Sequence, residues 1–121
     1  MTEKEIFIEK MKARTMKLAI DIIQLCDQMK QSKANSVITY QLIKSATSIG
    51  ANYRAACRGR SKPEFFSKIC IVVEEADETE YWLELISQAK LSKDLNELNR
   101  LIIEANEITR IMTKAKNSSY K

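Results

Sequence analysis

Two sets of side chains in this chain have the types and spacing to do chemistry. The first is acidic. Glu74-Glu75-Ala76-Asp77-Glu78 and Glu104-Ala105-Asn106-Glu107 set carboxylates one helical turn apart in two segments. Hard oxygen ligands spaced in this way suit Mg²⁺ and, through it, a phosphate substrate. The second set is basic: Arg54, Arg58, Arg60 and Lys62 lie close together, with Arg54 and Arg58 sharing a helical face at i, i+4. Cations arranged like this neutralise phosphates by counterion release, giving binding that is salt-sensitive and largely blind to sequence. They are the candidate nucleic-acid-binding residues, for RNA or DNA. An alternative is neutralisation within the protein, because Glu74, Glu75, Asp77, Glu78, Glu80 and Glu84 form a stretch without a cation.

Other chemistry is poorly supported. The chain has no histidine, which removes Ser-His and Cys-His nucleophile pairs, histidine-dependent di-iron sites and most zinc sites. No Gly-rich phosphate loop is present. The expectation is a non-enzymatic protein with no metal and no cofactor. The acidic pairs keep one enzymatic alternative open, since they resemble the paired motifs of Mg²⁺-dependent all-α nucleoside triphosphate pyrophosphohydrolases. Glu107 stands where that pattern has Asp.

Helices must position these residues. In 121 residues there are only Gly50, Gly59 and Pro63 to interrupt them, too few turn formers for a β-rich fold. The first helix is expected from Thr2 to Gln31, with Phe7, Met11, Leu18, Ile22, Leu25 and Met29 on one face. Asn35 or Ser36 would cap a second helix, Val37 to Arg58, burying Ile38, Leu42, Ser45, Ala46, Ile49, Tyr53 and Ala56. Gly59 is placed as the C′ residue that ends it. Ser61 with Glu64 forms a capping box for the third helix, which runs to Lys90 through Phe65, Ile69, Val72, Val73, Ala76 and Leu83. Ser92 would cap the fourth, with Leu95, Leu98, Leu101, Ile102, Ala105, Ile108 and Met112 inward. Short connections then give an all-α, up-down-up-down antiparallel four-helix bundle. It is expected as a single domain over residues 1–116, followed by a disordered tail over 117–121.

Three further expectations follow from the helical wheel. Glu80 falls on the core face of the third helix, opposite Gln41, Lys44 and Ser45, while Arg14 and Asn52 lean inward and could satisfy each other. These groups are read as a register-fixing polar network. Ile6, Met16, Ile20 and Ile23 lie on the outer side of the first helix, and Ile71, Trp82 and Leu85 on the outer side of the third. Ile20, Ile23, Ile71, Trp82 and Leu85 are therefore the candidate interface of a homo-oligomer. No run approaches a membrane span, and the mixed-charge start Met1-Thr2-Glu3-Lys4-Glu5 has no apolar stretch of a signal peptide. The odd cysteine set, Cys26, Cys57 and Cys70, fits a reducing, cytoplasmic location with cysteines as core fillers.

The segment from Gln41 to Ala55, followed by Arg60, Ser61, Glu64 and Phe65 and by Glu78 with Glu80, resembles the bacterial four-helix-bundle family. Its members are also called 23S ribosomal RNA intervening-sequence proteins. The resemblance covers about residues 5–115. Ala55 or Ala56 stands where that pattern has an acidic residue. What the resemblance implies is an antiparallel bundle that often assembles as a ring-like homopentamer, without established enzymatic activity. A related branch serves as the accessory protein of diversity-generating retroelements and binds nucleic acid and a reverse transcriptase, so a reverse transcriptase is an implied partner.

Overall fold

Thr2, Ser32, Ser61 and Asp94 start the four helices, each by presenting a side-chain oxygen to a backbone N–H of the first turn. Thr2 Oγ1 accepts from Glu5 N at 3.1 Å, Ser32 Oγ from Asn35 N at 3.1 Å, Ser61 Oγ from Glu64 N at 3.2 Å, and Asp94 Oδ1 from Glu97 N at 3.1 Å. A computed structural model of the chain describes residues 1–120. Within them run α1 (Glu3–Asp27), α2 (Lys33–Cys57), α3 (Lys62–Gln88) and α4 (Leu95–Tyr120).

Two caps differ from expectation. The α2 cap is Ser32, because Asn35 is turned back to donate from Nδ2 to the Lys30 carbonyl at 2.8 Å and ties the preceding loop instead. The α4 cap is Asp94, whose carbonyl also accepts from Leu98 N, while Ser92 Oγ accepts from Asp94 N and shapes the turn. At its other end α4 continues past residue 116 to Tyr120, with Ser119 Oγ donating to the Lys116 carbonyl at 2.8 Å. Lys121, the last residue of the expected tail, lies outside the described residues.

The helices form an antiparallel four-helix bundle with neighbours α1–α2, α2–α3, α3–α4 and α4–α1. Direction is fixed by cross-pairs: Arg14 meets Glu104 and Asp21 meets Arg100, so α1 and α4 run oppositely. The core is one cluster, with Met11, Leu18, Ile22, Leu42, Ile49, Ile69, Leu83, Ile86, Leu98, Leu101, Ile108 and Met112 fully buried. Two expected core residues are not in it. Leu95 is exposed in the first turn of α4, and Phe7 is exposed near the open end of α1. Small residues on α2 let the helices close up, as at Gly50, where an added Cβ would lie 3.2 Å from Thr15 Oγ1.

The buried polar pair between α2 and α3 is Thr79 and Ser45. Thr79 Oγ1 donates to Ser45 Oγ at 2.9 Å, and Ser45 Oγ in turn lies 3.1 Å from the Leu42 carbonyl. Glu80 is rotated off the core and accepts from Asn106 Nδ2 at 3.1 Å. The angle between positions 79 and 80 decides this: a hydroxyl is far less costly to bury than a carboxylate. Arg14 and Asn52 do not meet either, since Asn52 donates to Ser48 on its own helix. Among the described residues no buried side-chain N or O lacks a partner, and no helix is long and apolar enough to cross a membrane.

Candidate nucleic-acid interface

The turn between α2 and α3 sets the basic residues at one end of the bundle. Arg58 closes α2, its N–H bonding back to Arg54 O and Ala55 O, and Gly59 N donates to Ala56 O at 3.0 Å. Gly59 is not needed for a left-handed backbone, as its φ is not positive. It is needed for room. A Cβ there would sit 3.1 Å from Ala56 O and 3.3 Å from Glu64 Cβ, so the first turn of α3 packs directly on it. The Glu64 carboxylate then accepts from the Arg60 N–H, one residue outside the expected capping box.

Arg54, Arg58, Arg60 and Lys62 are all exposed. Among the described residues, every ion pair involves other cations: Lys12, Arg14, Lys17 and Arg100. No ion pair among the described residues joins this end to the acidic stretch of α3. Arg58 and Arg60 come together at a cleft of about 500 Å³ with Ser67 and Lys68. Arg54 lies one turn back along α2, and Lys62 faces a different cavity inside the same end. Lys68, seven residues beyond Ser61, escapes a reading based on one helical face because the turn brings two helices to the same cleft.

The acidic pairs do not converge. Glu104 takes a two-pronged contact from Arg14, at 3.0 Å to Nε and 2.7 Å to Nη2, and Glu107 lies 3.2 Å from the same guanidinium. Those carboxylates therefore face α1. Glu75 faces α2, where burial and the neighbouring Glu78 push its carboxyl above the usual range against a hydrogen bond from Ser48. Among the described residues no group of three or more acidic or cysteine side chains is placed to hold a metal ion.

The expected interface residues divide. Ile20 and Ile23 are exposed on α1, at 45% and 38%. Ile71, Trp82 and Leu85 are half-buried, and Trp82 packs against the core with its indole N–H donating to Glu78 at 3.1 Å and its ring edge-to-face with Tyr81. The α3 stripe is thus partly covered by its own bundle, because α3 is sandwiched between α2 and α4 while α1 meets its neighbours less intimately.

A family model described as 23S rRNA-intervening sequence protein matches residues 9–114. The chain belongs to this family. It is also similar to a crystal structure of a protein of unknown function from the S23 ribosomal protein family of Bacteroides thetaiotaomicron. The two are 28% identical, with 91% of this chain and 97% of that chain covered and a TM-score of 0.79. No curated protein matches. Several residues that carried the 23S rRNA-intervening sequence resemblance have structural duties here. Ser61 caps α3, Glu64 ties the Arg60 backbone, Glu78 holds the Trp82 indole, and Glu80 anchors Asn106 of α4.

Proposed function

We propose that the protein is a non-enzymatic homo-oligomer that binds RNA or DNA, alone or within a nucleoprotein partner such as a reverse transcriptase complex, through Arg54, Arg58, Arg60 and Lys62. One observation supports this reading above the rest: four cations share one end of the bundle with no carboxylate at ion-pair distance among the described residues. Glu64, the nearest acid in sequence, is engaged by the backbone instead. At the cleft Arg58, Arg60 and Lys68 outnumber the one carboxylate, Glu64, and phosphate is the ligand that gains most from the resulting positive field.

The test is a mobility-shift titration with single-stranded and duplex RNA and DNA at low and moderate salt. Binding should weaken steeply with salt, and Arg58→Glu/Arg60→Glu should reduce it by at least tenfold. A salt-independent interaction, or full binding by the double variant, defeats the reading. A second reading has its own support, since Glu74, Asp77 and Glu84 are exposed and also take part in no ion pair among the described residues. The basic end of one copy could then meet the acidic helix of another. In that case the same double variant lowers the mass in solution and nucleic acid does not bind.

A further inference from the structure

At the end of the bundle where α1 and α3 begin, a cavity of about 650 Å³ opens among all four helices. We infer that it binds an amphipathic organic anion, with an apolar body inside and a carboxylate or similar head at the mouth. Its wall takes Ile8 from α1, Tyr53 from α2, Phe65 from α3 and Ile111 from α4. Its cations are Lys4, Arg60 and Lys62, and among the described residues no carboxylate lines it. The volume falls in the range of about 300–1,000 Å³ typical of small-molecule sites, which are mostly apolar with a few placed polar groups.

The sign of the ligand follows from the side chains and not from the helices. In an up-down-up-down bundle each end holds two helix N-termini and two C-termini, so the helix dipoles nearly cancel. Lys4, Arg60 and Lys62 at the mouth then set the sign, outnumbering Glu64 on the Arg60 backbone and Glu9 near Tyr53. The interior stays neutral where it is deepest: Tyr53 is almost fully buried, and burial with the Cys57 thiol beside it pushes the phenol further up from its ordinary value. A nucleobase is a poorer occupant, because its several edge polar atoms would meet an apolar wall. Phe7, in sequence a core position, stands at the cavity wall and stays 45% exposed, so it does not close this end of the core.

The experiment is calorimetric titration of the full chain with decanoate below its micelle concentration, with decyltrimethylammonium as the same body bearing the opposite head. Methyl NMR on the same samples maps the site. Decanoate should saturate and shift the methyls of Ile8, Ile111 and Met112, while the cationic amphiphile should not bind. Lys4→Glu, which lies outside the basic set proposed for nucleic acid, should weaken decanoate about tenfold. Ala115→Phe, whose side chain would grow into the cavity, should abolish it with helicity retained. If that variant loses helicity, the methyl map of the wild type decides. Equal binding of both amphiphiles, no saturable decanoate binding, or shifts confined to Ile20 and Ile23 would each overturn the inference. None of these results bears on the mobility-shift test, so the two readings fail separately.

Discussion

Among the described residues Lys90 is the one non-glycine with positive φ, at 58°. It ends α3 in a pair of C-terminal bonds: Leu91 N donates to Ile86 O at 3.0 Å and Lys90 N to Ser87 O at 3.2 Å. That is the Schellman arrangement, whose left-handed residue is normally glycine because a Cβ there crowds the following carbonyl. Lys90→Gly is accordingly expected to raise stability by about 1 kcal/mol, read as an increase in the urea midpoint with an unchanged slope. At this scale the sequence was partly misleading. Lysine gave no sign of a left-handed cap, and Gly59, which did, adopts an ordinary backbone and is small for packing reasons. Serine, asparagine and aspartate within a few residues of one another, as at Ser32, Asn35 and Ser36, offer equivalent caps. The local bond from the Asn35 amide to the Lys30 carbonyl, five residues back in the connecting loop, separates them. The same holds for Thr79 and Glu80, adjacent on the wheel, where a modest rotation of α3 decides which faces Ser45.

At the scale of elements, the apolar periodicity was sufficient to find all four helices and nearly all of the core, because burial follows a repeat that can be read along one helix. The ion pairs were not legible, since they depend on how helices distant in sequence are aligned. They concentrate on the α1–α4 seam, the only neighbouring pair not joined by a short connection. Asp21, 8% exposed, lies 2.8 Å from Lys17 and 2.7 Å from Arg100, which also binds Glu97. Burial alone would raise the Asp21 carboxyl, but hydrogen bonds from Lys17 and Arg100 outweigh it and hold the group below its ordinary 3.8. A depressed carboxyl contributes stability above its unfolded value and loses it as pH falls through the folded one. Asp21→Asn should therefore cost about 1 kcal/mol at pH 7. The difference from wild type should shrink below about pH 4 and vanish in stronger acid. Chemical denaturation across pH 2–7 measures it, and a constant difference at every pH would show that Asp21 acts through packing alone. Glu75 has the opposite sign. Its raised carboxyl means that its charge opposes folding at neutral pH, so Glu75→Gln should not reproduce the loss.

The whole molecule exposes more surface than its mass requires. A compact monomer of 13.9 kDa would show about 6,700 Å², whereas this chain shows 7853 Å². Part of the excess is shape, since helices of 25–27 residues make rods about 40 Å long. Part is apolar and arranged in a line: Ile6, Met16, Ile20 and Ile23 stay exposed along α1. On α3, by contrast, Trp82 is partly covered by its own protomer. This separates two substitutions that the sequence alone would treat as equivalent. Ile20→Glu/Ile23→Glu changes side chains that lie outside the core cluster, so the variant should keep its helicity and most of its thermal midpoint per subunit while its mass by light scattering falls to that of a smaller species. Trp82→Ala removes packing within the bundle and should lower stability by about 2 kcal/mol, with assembly lost only as the fold is lost. The size of the wild-type species discriminates further. A stripe that pairs with its own copy closes as a two-fold dimer, while a stripe that docks on a different patch of the next copy generates a ring. Five subunits in solution would require that second patch, and a wild type already monomeric at micromolar concentration would leave the α1 stripe without a role in self-association.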